Sequence, residues 1–209
     1  MTGTAERSES FYGLLASRRS IRRYRLDPIP ADVVRRLVQA AGAAPSAHNR
    51  QPWRYVVITD DAAKTALATA MGRRLAEDRA RDGDDPEAIR LDVARSFTRI
   101  TGAPVVILAC LTLGEMDAYP DARRREAEFL MAVQSTAMAT QNVLLAAHAE
   151  GLGACWLCAP LFCQETVRAA LALPGDWQPQ GLITLGHPQQ PGKERPRKPL
   201  ADILIVPPI

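Results

Sequence analysis

Residues 123–150 run without a glycine or proline, RRREAEFLMAVQSTAMATQNVLLAAHAE. Apolar side chains fall on nearly every face of a helix built from this stretch, so such a helix has to be buried on most sides. It is no membrane span, because Glu128, Gln134, Gln141, Asn142 and His148 interrupt it, and a span needs ~20 consecutive, nearly uncharged apolar residues. Gly151-Leu152-Gly153 ends it.

The rest of the chain supplies short pieces of both kinds. Phe11, Leu14 and Leu15 fall at helical spacing in residues 11–19. Asp32–Gly42 reads as an amphipathic helix, with Val33, Val34, Leu37, Val38 and Ala41 on one face and Gly42 as its stop. Residues 61–80 and 87–100 read as helices around a charged turn, RDGDDPE, which is the segment expected to act as a lid. Residues 165–173 read as a short helix. Strands are expected at 55–58, 104–110, 154–157 and 180–185, where apolar and β-branched residues run together. PVVILAC (104–110) has the continuous apolar pattern of a strand covered on both faces. Strands alternating with helices give a mixed α/β class in a single domain. The basic, proline-rich tail after His187 ends in Ile203-Leu204-Ile205-Val206, an apolar run that needs a partner surface on this chain or on another copy.

Several function classes drop out. A net charge of +3 in 209 residues gives no bulk argument for nucleic acid. The basic clusters lack interleaved aromatics and lie on no amphipathic basic helix, which argues against nucleic acid and membrane surfaces alike. The polar start, MTGTAERSES, has no apolar signal core, and four cysteines in such a chain read as reduced thiols of a cytoplasmic protein.

Three sets of residues carry possible chemistry. Arg18, Arg19, Arg22, Arg23 and Arg25 crowd into eight residues, and Lys193, Arg195, Arg197 and Lys198 crowd near the other end. These are either two solvated patches or a phosphate site built from both ends of the chain, with Ser20 as a further donor. No glycine-rich phosphate loop competes for that role. Cys155-Trp156-Leu157-Cys158, with Cys163 and His148, has the outline of a zinc set. Its bulky apolar spacers and strand-like setting favour buried thiols instead, and no metal site is expected. His48, His148 and His187 are the only histidines, and no hydrolase or metalloprotease motif accompanies them. With so few acid–base candidates, the chemistry is expected to come from a cofactor and no catalytic side chain is assigned.

The connector PSAHNRQPWR (45–54) packs small polar groups beside one large ring between a helix and a strand. Together with RRSIRRY (18–24), GLGACWLCAPLF…VRAALALPGDWQPQGLITLGHP (151–188) and PRKPLADI (196–203), it resembles the flavin-dependent nitroreductase family. Order and spacing agree over nearly the whole chain. The third segment is similar to the FMN-binding C-terminal domain of the deazaflavin cofactor's γ-glutamyl ligase. The resemblance implies an α+β fold, with a central, mainly antiparallel sheet flanked by helices, in one domain spanning 1–209. It further implies an intertwined homodimer, with the helix at 123–150 in the dimer core, an arm of about 188–209 exchanged and two FMN sites at the interface.

The same resemblance implies roles for residues. Arg18 and Ser20, with Arg19 as a weaker candidate, fall on the phosphate and ribityl chain of FMN. Arg22 falls at the pyrimidine edge of the flavin, and Arg195 and Arg197 close over the phosphate. Cys158 and Ala159 stand where a backbone N–H approaches the ring, in place of the acidic residue and glycine common in the family. Pro45, Ser46, Ala47 and Asn49 cover the flavin of the other subunit, and Gln51 makes a structural or ring-edge contact. Trp53 is expected to anchor the loop in the core, and His48 either lines the substrate pocket or faces solvent. The implied activity is ping-pong reduction of an electron-poor small molecule, such as a nitroaromatic or quinone, with NADPH or NADH as donor. Reduction of a deazaflavin precursor and a non-catalytic flavin-binding dimer are the alternatives. Conversion of flavin to dimethylbenzimidazole by a related branch fits less well, because that branch has a different loop at 45–53.

Overall fold

The computed structural model describes residues 2–205, with side chains from Thr4 onward; Val206, the last residue of the apolar run in the tail, lies outside them. Strand β2 (Val105–Leu111) is buried along its whole length and lies at the centre of a four-stranded sheet. Strand β1 (Trp53–Ile58) pairs with one edge of β2, and β4 (Gln178–Gly186) with the other. Strand β3 (Gly153–Leu157) lies outside β4, giving the order β1-β2-β4-β3 with every pair antiparallel. The class is therefore α+β, and the continuous apolar run of PVVILAC reflects cover on both faces rather than a parallel sheet.

Alternation along β2 sends Val105 and Ile107 to one face and Val106, Leu108 and Cys110 to the other. The first face meets helix α2 (Ala31–Ala41), through Val34, Leu37 and Ala41, and helix α5 (Ala122–Ala149), through Ala139, Val143 and Ala147. The second meets helix α3 (Asp61–Arg81), through Leu67, Ala68 and Met71, together with Ile100 of α4 (Pro86–Thr101) and Val167 of α6 (Gln164–Ala170). Asp60 and Asp85 cap α3 and α4 by accepting from the N–H groups of Ala63 and Ala88. The charged segment expected as a lid is a tight turn joining these two helices. Helix α1 (Thr2–Ser17) begins well before the periodic residues that mark it in the sequence.

One expectation is corrected. The long helix α5 is not buried on most sides within one chain: Glu128, Ala132, Ser135, Thr136 and Ala139 line its buried face, while Leu130 and Met138 are 50% and 42% exposed. The apolar tail is equally uncovered, with Leu200, Ile203, Leu204 and Ile205 all exposed. Among the described residues, no helix is long and apolar enough to cross a membrane.

Candidate functional site

The segment Arg18–Tyr24 leaves α1 and runs along the far side of the sheet. Ser20 bridges Ala154 in parallel, the Ile21 N–H donates to the Ala154 carbonyl (3.0 Å), and Tyr24 bridges Pro188. The Tyr24 hydroxyl is buried and donates to the Thr184 carbonyl at 2.9 Å, and burial pushes its pKa above the ordinary tyrosine range. This close path needs missing side chains beneath it. A Cβ on Gly153 would come within 2.7 Å of Ile21, and one on Gly192 within 2.2 Å of the Arg19 Cβ. Gly192 thus lets the tail cross directly over Arg19, and Arg19 then pairs with Glu194 at 3.3 Å.

These contacts enclose a cavity of about 1000 Å³. Arg18, Arg19, Ser20, Arg22 and Arg23 line it from the segment after α1. Lys193, Arg195 and Arg197 line it from the tail. Helix α4 contributes Arg95, Thr98 and Arg99. Both ends of the chain therefore meet in one cationic site, which resolves the choice left open between two solvated patches and a joint cluster. Arg18, Arg22, Arg99, Arg195 and Arg197 have no carboxylate partner among the described residues.

Cys155 is buried next to this site, on the strand that Ser20 and Ile21 run beside. Burial pushes its thiol up, while Arg22, Arg99 and Arg18, and a hydrogen bond from Ser20, pull the other way. The thiol is thus a buried group close to several guanidinium groups. Cys158, three residues on, is exposed. Among the described residues no cluster of His, Cys, Asp or Glu could hold a metal ion.

A second cavity of about 470 Å³ lies behind Arg18 and Arg19, lined also by Ser17, Leu144, His148 and Leu152. His148 Nε2 and Ser17 Oγ are 2.8 Å apart, tying the end of α5 to the end of α1. Desolvation, then the charges of Arg18 and Arg19, hold the imidazole below its usual pKa.

The connector 45–54 is built differently. It folds into a 3₁₀ turn, Ala47–Asn49, and His48, Asn49 and, just beyond the turn, Gln51 take left-handed φ angles of 48°, 55° and 48°. Such angles are uncommon outside glycine and cost free energy that the surroundings must offset. Ser46 Oγ accepts from the Gln51 N–H (3.1 Å), and the Ala47 N–H donates to Ser135 Oγ of α5 (3.3 Å). Arg50 pairs with Asp117 (2.5 Å), and buried Trp53 joins the core, anchoring the loop. Pro45, His48, Asn49 and Gln51 are exposed, and none of the connector lines the basic cavity. Cys158 and the turn Ala159–Phe162 follow β3 and also lie outside its lining.

The expected residues thus separate into two groups. Arg18, Arg19, Ser20, Arg22, Arg195 and Arg197 converge, whereas Pro45, Ser46, Ala47, Asn49, Gln51, Cys158 and Ala159 do not join them within one chain. Sequence reasoning passed over Arg95, Thr98 and Arg99. Two arginines four residues apart on a predicted helix, with a threonine between them, were the available signal.

The donor set tests well against a nucleotide cofactor. Planar guanidinium donors without carboxylate partners match phosphate oxygens bidentately, and the cavity is at the upper end of the volume range for small-molecule sites. Comparison with known proteins agrees. A curated relative from Thermus thermophilus, named NADH dehydrogenase, is 32% identical, with 90% of this chain and 91% of the relative covered. A 5,6-dimethylbenzimidazole synthase from Rhodospirillum rubrum is 31% identical, covering 83% and 79%. A solved structure from Desulfovibrio desulfuricans, described as a nitroreductase in complex with FMN, is 32% identical, has a TM-score of 0.73, and covers 95% of this chain and 96% of its own. Residues 15–187 match the Nitroreductase family as a whole, and the chain belongs to that family.

Proposed function

We propose that this chain is an FMN-dependent oxidoreductase that draws on NADPH or NADH and reduces an electron-poor small molecule, such as a nitroaromatic or a quinone, as a homodimer. The observation that carries this reading is the convergence of Arg18, Ser20, Arg22, Arg195 and Arg197 on one cavity in a member of this family. Arg18, Arg195 and Arg197 would hold the FMN phosphate by charge-assisted hydrogen bonds, with Arg19 and Ser20 beside them. Arg22 would set a positive charge at the pyrimidine edge of the ring, where it favours uptake of electrons. FMN, when bound, supplies the hydride chemistry. The protein supplies orientation and charge, and no side chain is assigned a proton transfer.

The second group of residues fits a role across a dimer. The open face of α5 and the apolar tail are surfaces that a second copy would bury. The exposed loop from Pro45 to Gln51, braced on α5, would then cover the other copy's flavin, with Cys158 and Ala159 presenting backbone toward a ring. Residues 188–194 run along their own chain, through the Gln189 N–H to the Arg23 carbonyl and Arg19 to Glu194. Arg195 and Arg197 also line their own chain's cavity, so exchange of the expected arm, about 188–209, would involve only the residues after 197, within a single domain spanning 1–209.

The test is to purify the protein without added cofactor, record its flavin absorbance, and add NADPH and NADH anaerobically. Bound flavin that bleaches, then recovers its colour with a quinone or nitroaromatic, supports the reading. A protein that takes up no FMN overturns it, and one that binds FMN but never bleaches is the non-catalytic dimer. A deazaflavin precursor, the acceptor suggested by the 151–188 resemblance, is tested as oxidant in the same assay. The relative from Rhodospirillum rubrum favours one further reading, conversion of reduced flavin to 5,6-dimethylbenzimidazole. Flavin absorbance that fails to return when air is admitted would select it.

A further inference from the structure

The basic cavity holds more positive charge than one cofactor phosphate can answer. A phosphate monoester carries about two negative charges at neutral pH, and Arg18, Arg195 and Arg197 with Ser20 already provide for it. Arg95 and Arg99 enter the same cavity from a separate element, one turn apart on α4. Arg99 has no carboxylate partner among the described residues. Arg95 pairs with Asp92 at 2.7 Å, but Asp92 also serves Arg79, so the charge of Arg95 is only partly answered. A second, independent feature adjoins this wall. Between α3 and α4 runs a largely apolar groove of about 700 Å³, lined by Ala68, Gly72, Ile89, Val93 and Phe97. Ala94 and Thr98 line both the groove and the cavity. An apolar slot abutting a guanidinium wall has the chemistry of a nucleotide, a flat weakly polar base beside a phosphate.

We propose that Arg95 and Arg99, with the groove across Ala94 and Thr98, form a second phosphate subsite for the adenosine end of the nicotinamide donor. It takes the phosphate monoester that NADPH carries and NADH lacks. This rests on the proposed flavin reductase function and deepens it.

Calorimetry on the FMN-loaded protein, with adenosine 2′,5′-bisphosphate and adenosine 5′-monophosphate as probes, tests it. The bisphosphate is expected to bind at least about tenfold more tightly, the weight of one charge-assisted contact. Arg99→Ala and Arg95→Ala should each narrow that ratio at unchanged flavin content, and should lower the NADPH-to-NADH ratio of kcat/KM in step. Arg95 is exposed, so its variant carries the test if Arg99→Ala fails to fold. Equal binding of the two probes, or a preference that survives both substitutions, overturns the proposal. Failure of the underlying function looks different, since that protein would hold no flavin, or would hold flavin that neither NADPH nor NADH bleaches.

Discussion

The basic cavity and the connector 45–54 are two halves of one proposed site, built on opposite plans. The cavity is complete in a single chain: three segments far apart in sequence meet there, and Gly153 and Gly192 let them pack. The connector is strained and braced, yet it lines no such cavity in its own chain. Three left-handed residues and a buried tryptophan are a costly way to shape a surface loop. The difference teaches that gathering the arginines is a property of the folded chain, whereas on the proposed reading enclosing the ring would be a property of the assembly.

The largest effect expected would come from breaking the assembly alone. Leu130→Arg and Met138→Glu place charges on the open face of α5, where both side chains are exposed in a single chain. Burying such a charge unpaired at an interface costs several kcal/mol. Sedimentation should show a dimer for the native protein and a monomer for the double variant, with an unchanged circular dichroism spectrum and loss of stoichiometric flavin. A monomer that keeps its flavin would dissolve the comparison, because the cavity would then suffice.

Next in size is the phosphate half. Arg18→Ala or Arg197→Ala removes a charged hydrogen-bond donor worth about 1.5–3 kcal/mol, so the FMN dissociation constant should rise roughly tenfold to a hundredfold. Fluorescence titration measures it, and the dimer should persist. An unchanged affinity in both variants would return the cluster to a solvated patch.

Much of this was legible in the sequence, for identifiable reasons. The continuous apolar run 104–110 gave the central strand because cover on both faces leaves no polar alternation. The arginine clusters were visible but left two solvated patches and one joint site equally open, and only the fold brings them together. Strand order was not legible, since pairing depends on contacts between distant segments. Periodicity alone could not say what covers α5, because an apolar side chain reads alike whether its own chain or a second copy covers it; only the family resemblance pointed to a second copy. Arg95 and Arg99 were hidden by their setting. On a charged helix they look like any exposed pair, and only the fold turns them toward Arg18 and Arg22.

A smaller effect sharpens the comparison on the connector side. Ser46→Ala removes the acceptor that holds the Gln51 N–H, a loss of about 1 kcal/mol in a loop already under strain. Thermal unfolding should register a small drop. Flavin turnover should fall by more than FMN affinity does if, as proposed, the loop encloses the ring and leaves the phosphate alone. Equal losses in both would place the connector in the phosphate half.

The smallest effect concerns His148, which joins the two regions by linking the end of α5 to the Arg18–Arg19 strap. Desolvation, then the charges of Arg18 and Arg19, lower its pKa in the folded chain. A group whose folded pKa lies below its unfolded value of about 6.5 resists protonation in the native state. Its contribution is therefore fully present above that value and is lost as pH falls through the lowered folded pKa. Urea midpoints measured at about pH 7 and about pH 5 should fall more for the native protein than for His148→Gln. Bound FMN should shrink the difference, because a phosphate on Arg18 neutralises part of the charge that opposes the imidazolium. If the variant lost as much as the native protein, or if FMN left the difference unchanged, the end of α5 would be electrically isolated from the phosphate half, and the two regions would communicate only through the dimer.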